Sequence, residues 1–238
     1  MSRDTIHSSA GGRWLVVVVF AVAMAWVEAA VVFYLRSLVG RIDPYQPNPM
    51  PEDAGLAFAE MVREAATLVM LLAVGWLAGT SNGRRMGYAL LAFGVWDLFY
   101  YAFLKVLTGW PHSLFDWDIL FLLPLPWWGP VLAPVCIAGL MILWGTLATW
   151  GEGQGQSVSC NWKSWSLNLV GVALALYVFM KDAIRVAGAG EKVLRELLPT
   201  RFNWLLFGVA LALMAAPVAE ACWQRRRRNT TRSQPQSI

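Results

Sequence analysis

The 238-residue chain is 58% apolar and 14% charged, carries 14 tryptophans and has a mean hydropathy of +0.50. That balance lies outside the range of soluble domains and excludes a water-soluble enzyme or binding module. The net charge of +4 does not indicate a nucleic-acid binder, because the basic residues are spread among loops and end in one tail, where contact with anionic membrane lipid accounts for them.

In chain order, the apolar pattern predicts an all-α, polytopic transmembrane helix bundle with about six spans. Residues 1–13 form a cytoplasmic arm, residues 14–223 a single transmembrane domain, and residues 224–238 a basic cytoplasmic tail. The first span, residues 14–35, is too long for a signal-peptide core and is followed by no small-residue cleavage site, so it is expected to stay in the mature protein. The second covers residues 56–79 and the third residues 87–107. Before the fourth, Pro124 and Pro126 interrupt the apolar run. Proline removes a backbone donor and lipid tolerates no unpaired backbone, so residues 119–123 are expected as a short Pro-broken interfacial or re-entrant segment, with Asp118 as its N-cap. The fourth span then occupies residues 131–150, the fifth residues 165–180 and the sixth residues 202–223. Between the last two, residues 181–198 place Glu191 with Arg195 and Lys192 with Glu196 at helical spacing, which predicts an amphipathic segment on the outer surface.

Lysine and arginine in the short loops set the orientation. With the N-terminus inside, ten cations lie on the inner side, including the Arg84-Arg85 turn and Arg225 to Arg228, against eight on the outer side, several of which have acidic neighbours. This predicts N-in and C-in, with tryptophans at both interfaces as anchoring belts.

Three carboxylates, Glu28, Glu64 and Asp97, fall inside these apolar spans, where a charge is costly and marks a candidate site. At 1.5 Å rise per residue, all three lie roughly 10 to 15 Å below the outer boundary. Glu60 sits one turn above Glu64, Tyr101 one turn above Asp97, Lys105 one turn above Tyr101, and Arg36 two turns above Glu28, while Arg63 adjoins Glu64. The inner halves of the same spans lack such groups, which points to a cavity open to the outer face. Glu28, Glu60, Arg63, Glu64, Asp97, Tyr101 and Lys105 are therefore the candidate ligand- or ion-binding set, with Tyr100 shaping the pocket. A structural alternative pairs Glu28 with Arg63 or Asp97 with Lys105 to hold helices in register.

Carboxylate oxygens suit hard divalent cations, so Glu28, Glu64 and Asp97 are candidate metal ligands. Only two histidines are present, His7 and His112, and no Glu-x-x-His occurs, which argues against haem, di-iron and zinc-hydrolase sites. His112 could join Asp116 and Asp118 in a surface cation site or be a plain loop histidine. Cys136, Cys160 and Cys222 have neither C-x-x-C spacing nor a nearby histidine and read as small apolar fillers. Nucleophile-elbow, zinc-protease, P-loop and dinucleotide motifs are absent, and the glycines of residues 151–155 precede no Lys-Ser/Thr pair. The Asn229 sequon falls on the expected inner side and carries no weight.

The stretches W-V-E-A-A-V-V-F-Y-L-R at residues 26–36, R-E-A-A-T-L-V-M-L at 63–71, W-D-L-F-Y-Y at 96–101 and the tryptophan- and proline-rich run at 109–135 resemble bacterial multi-pass inner-membrane proteins of unassigned activity. The resemblance covers the first four spans and implies a bacterial inner membrane, without a chemistry. Three functions stay open. The first is binding or transport of a cation, proton or small polar solute at an outer-leaflet carboxylate pocket. The second is an intramembrane enzyme using Glu64 or Asp97 as acid or base on a lipid-like substrate, and the third a non-catalytic subunit or assembly factor. Membrane lipids are the expected partners, alongside a membrane-protein partner or a second copy of the chain, and no nucleic acid.

Overall fold

The structure, a computed structural model, describes residues 10–47, 54–150 and 160–232. His7 and residues 151–155 lie outside the described residues. Long apolar runs form α1 (Ala10–Leu38), α2 (Ala54–Ala78), α3 (Asn82–Thr108), α4 (Leu132–Thr149) and α5 (Trp162–Val186). These five helices are long and apolar enough to cross a membrane. After a 3-10 turn at Ala187–Ala189 and the short α6 (Glu191–Arg195) come α7 (Trp204–Met214) and α8 (Ala216–Arg232), two helices bent by 40° at their junction. The outward faces are apolar: Leu15, Val16 and Val19 on α1 and Phe58, Val69, Leu72 and Leu77 on α2 are exposed, an arrangement that suits a lipid surrounding and not water.

α3 is the hub, packing on α1, α2 and α4. In a bilayer the hydrophobic effect does not drive helices together, so close packing must, and close packing needs small residues. α1 offers Ala21, Ala25 and Ala29 at four-residue spacing, all fully buried. Ala21 and Ala25 pack with Tyr88, Leu91 and Ala92 of α3. Between α3 and α4 the backbones nearly touch. A Cβ added to Gly94 would lie 2.6 Å from the Ala138 carbonyl oxygen, and one added to Gly145 would lie 2.5 Å from that of Gly87.

A second packing unit joins α5 to α7, where Gly171 stands opposite Ala210 and Met214. The bend into α8 has an identifiable origin: Pro217 has no N–H to offer the Leu213 carbonyl, and the Asn168 side-chain amide donates to the Met214 carbonyl at 2.8 Å.

Between α3 and α4 the chain forms a small antiparallel hairpin, β1 (Trp117–Ile119) with β2 (Trp128–Pro130), in register Trp117 to Pro130 and Ile119 to Trp128. Beyond the strands, Leu120 N–H donates to Trp127 and Trp127 N–H to Phe121. This corrects the expected helical start capped by Asp118. Asp118 lies in a strand with its carboxylate turned inward, and Pro124 and Pro126 occupy the turn, where a missing donor is harmless. Residues 181–198 are also corrected in part. α5 continues to Val186 because its polar end is satisfied locally, Lys181 donating to the Arg201 carbonyl at 3.1 Å and Arg185 pairing with Asp182 at 3.6 Å. The amphipathic helix shrinks to five residues, and the side chains of Glu191 and Arg195 lie outside the described set.

Gly94→Ala is expected to lower stability by about 1–3 kcal/mol, because the new methyl meets fixed backbone. Gly139→Ala on α4, where an added Cβ meets nothing within 4 Å, is the control and leaves stability unchanged or slightly raised. Thermal unfolding of the purified protein in detergent checks both.

Candidate functional site

A cavity of about 420 Å³ runs between α3 and α4 on one side and α5 and α8 on the other, beneath the hairpin. The end beneath the hairpin is polar. Glu28 enters from α1, Arg63, Glu64 and Thr67 from α2, and Asp97, Tyr100 and Tyr101 from α3. The three carboxylates singled out by depth therefore line one space, together with Arg63 and Tyr101.

Each helix places its groups by its own periodicity. On α2, Glu60, Arg63, Glu64 and Thr67 fall within two turns on one side. Arg63 is the local hinge of charge: its guanidinium forms an ion pair with Glu28 across the α1–α2 boundary and donates to Glu60 at 2.8 and 3.0 Å. Thr67, almost fully buried, donates its hydroxyl to the other Glu28 oxygen at 3.2 Å. Glu64 points the other way and accepts the Leu122 backbone N–H of the hairpin at 3.0 and 3.2 Å. Asp97 and the Tyr100 hydroxyl differ from all of these. Neither has a hydrogen-bond or ion-pair partner among the described residues, and both line the cavity.

Two members of the sequence-derived set stand apart. Glu60 serves Arg63 without lining the cavity. Lys105 is exposed and donates to the Gly109 carbonyl at 2.7 Å, where it helps to end α3. The expected Asp97–Lys105 pair is therefore not formed, since two helical turns, about 12 Å of rise, separate them. Tyr101 faces the cavity, yet its hydroxyl is committed to Asp118 at 3.2 Å.

Asp118 was not in the set, and it forms a second buried cluster. Its carboxylate accepts Arg36 at 3.1 Å as well as Tyr101, while Arg36 also donates to the Ile42 carbonyl at 3.2 Å and lies over the Trp110 ring at 4.4 Å. Asp118 is thus unavailable to the surface site considered around His112. His112 instead uses its backbone N–H and ring toward Asp116, at 2.7 and 3.4 Å. Among the described residues, no three His, Cys, Asp or Glu side chains meet closely enough to hold a metal ion. The anticipated oxygen cage of Glu28, Glu64 and Asp97 is not formed, because Arg63 and the Leu122 amide take up two of the three carboxylates.

The rest of the cavity is apolar and aromatic. Along α3 the lining runs from Leu90 to Tyr101 and along α5 from Trp165 to Phe179, spans of roughly 16 and 21 Å at the helical rise. Ile137, Met141 and Trp144 of α4 form the facing wall, and Asn168, Met214 and Pro217 line the opposite end at the α7–α8 bend. The indole N–H groups of Trp96, Trp127 and Trp144 are buried without acceptors. No cysteine lines the cavity. Cys160 donates to the Pro217 carbonyl at 3.4 Å, and burial followed by the Glu220 carboxylate pushes its thiol up to about 11, which suits a filler and not a nucleophile.

Sequence reasoning missed Thr67, the Leu122 amide and the apolar wall. Thr67 follows Arg63 by four residues and could have been found on that spacing; the Leu122 amide leaves no side-chain signal. No protein-family model, no curated protein and no solved structure matches the chain.

Arg63→Ala is expected to destabilise the protein by about 3–5 kcal/mol, because it strands buried Glu28 and half-buried Glu60. Adding Glu28→Gln to that variant recovers part of the loss by removing one stranded charge. Denaturant unfolding of the single and double variants provides the comparison.

Proposed function

We propose that this chain is a bacterial inner-membrane protein with six spans, N-in and C-in, whose cavity binds an amphiphile from the surrounding lipid. The observation that carries the reading is the continuity of one cavity, roughly 16 to 21 Å long in all, from an acceptor-rich end beneath the hairpin to an apolar and aromatic remainder. A small hydrated ion or solute needs polar groups all round it. A molecule with a compact polar head and an apolar chain matches both ends of this lining, and the volume lies in the range of small-ligand sites.

Further observations support the reading. The bent α7–α8 pair is long and apolar enough for a span when taken together, which supports reading it as a sixth crossing. The hairpin acts as a re-entrant roof, since its Leu122 amide reaches Glu64 ten residues into α2, about 15 Å along that helix. α2 and α5 both border the cavity without packing closely on each other, which supports lateral entry between them from the lipid. A ligand enters there sideways and needs no aqueous path. The Arg84-Arg85 turn and the basic end of α8, where Arg225 meets the Leu147 carbonyl, gather cations on the inner side.

Two experiments follow. Val172 lines the channel midway along α5, and Val172→Phe narrows it without touching the polar end. Mass spectrometry of organic extracts from purified protein is expected to find a co-purifying amphiphile in the wild type and its loss in Val172→Phe at an unchanged melting temperature. Equal recovery from both proteins removes the cavity as its seat. For orientation, Ser81→Cys in the α2–α3 turn is expected to react with impermeant maleimide only in inverted vesicles, and Ser113→Cys beside the hairpin only in intact spheroplasts, both in a background lacking the three native cysteines.

A further inference from the structure

Resting on the amphiphile reading, the lining specifies the head group further: we propose that the bound molecule carries an ammonium head, held by Asp97 and an aromatic wall at the outer end of the cavity.

The first support is a charge imbalance. Glu28, Glu64 and Asp97 line the cavity with one cation, Arg63, among the described residues. That cation is already engaged by Glu28 and by Glu60. Arg36, the nearest other guanidinium, is held by Asp118. The Glu64 carboxylate has only the neutral Leu122 amide as partner, and Asp97 has none among the described residues. A carboxylate in a low-dielectric space is stabilised by a positive charge, and among the described residues no further Lys or Arg lines the cavity to supply it.

The second support is independent of the acids. Phe93, Trp96, Tyr100, Phe121 and Trp127 all line the cavity and form a connected aromatic wall. Phe93 lies edge-on to Trp96 at 5.4 Å and tilts toward Phe121 at 6.5 Å, Trp96 stacks with Tyr100 at 6.0 Å, and Phe121 meets Trp127 at 5.1 Å. Phe93, Asp97 and Tyr100 share one face of α3 at four- and three-residue spacing. Aromatic faces attract desolvated ammonium groups through their quadrupoles, and rings grouped beside a carboxylate are the recurrent solution for holding one.

Alternative heads fit less well. A phosphate or carboxylate head would meet the like charges of Glu64 and Asp97 and, among the described lining residues, no unengaged cation. A hydroxyl head would satisfy Tyr100 but leave Asp97 without a counter-charge. Both a protonated amine and a quaternary ammonium answer the two demands together. The amine adds hydrogen bonds to Asp97, and the quaternary group makes fuller contact with the rings.

Four six-carbon probes that partition weakly into micelles separate these cases: hexyltrimethylammonium, hexylamine, hexanol and hexanoate. Their binding to the purified full-length protein in neutral detergent is measured by calorimetry and by quenching of tryptophan fluorescence. The two ammonium probes are expected to bind at least about tenfold more tightly than hexanol or hexanoate. Asp97→Asn is expected to erase that advantage while leaving hexanol binding as it was. Binding of hexanol or hexanoate as tight as that of the ammonium probes overturns the ammonium head and leaves the amphiphile reading intact. Failure of all four to bind, together with recovery of no amphiphile from the wild type, overturns both. The wild-type series decides the matter even if the Asp97 variant does not fold.

Discussion

A guanidinium half-buried among carboxylates, in a bundle of helices long and apolar enough to cross a membrane, needs partners for its charge, and the Arg63 cluster provides them by tying α1 to α2. These two helices otherwise touch little, each packing mainly on α3. The ion pair and the Thr67 hydroxyl therefore set their relative position where side-chain packing does not. The second cluster, Arg36 with Asp118 and Tyr101, does the same for the hairpin, clamping it between the outer end of α1 and the upper part of α3. The site follows from these two fixtures. With Glu28 and Asp118 neutralised by arginines, Glu64 and Asp97 are left to face the cavity with little or no protein partner.

The apolar contacts make this placement rigid. Glycine and alanine bring α1, α3 and α4 into close backbone contact, while α5 and α7 pack around Gly171 as a separate unit. The cavity occupies the gap between the two units. Its outer limit is a hairpin wedged between them by Trp127, whose ring lies parallel to Phe179 at 6.5 Å, and by Leu120, which packs with the α5–α7 cluster. The space thus arises from the way two well-packed units meet, and not from missing side chains inside either one.

Much of this was legible in the chain. The spans announce themselves as unbroken apolar runs, and the boundaries of α1 to α5 differ from expectation mainly because helices continue past the apolar stretch into polar ends that satisfy their own backbone. The shared depth of Glu28, Glu64 and Asp97 follows from counting helical rise, and the same count gave Glu28 with Arg63 as one of two candidate pairs. Other features carried no local signal. Asp118 reads as a helix cap because the residues after it are apolar, while its true partners, Arg36 and Tyr101, lie 82 and 17 positions away. Strands of three residues are too short to show alternation. The channel wall hides for the opposite reason: Leu90, Phe93, Ile137 and Met141 have the spacing of ordinary packing, and nothing in a sequence tells a side chain that meets a neighbour from one that meets a void.

The elbow between α7 and α8 deserves a last consequence. Because Pro217 withholds an amide and Asn168 supplies one, the backbone bends by 40° beside the end of the cavity that Met214 and Pro217 line. Asn168, Met214 and Pro217 thus shape the elbow and line that end of the cavity at the same time. A residue with an amide at position 217 could donate to the Leu213 carbonyl, so that straightening the elbow would reshape the end of the cavity along with the helix.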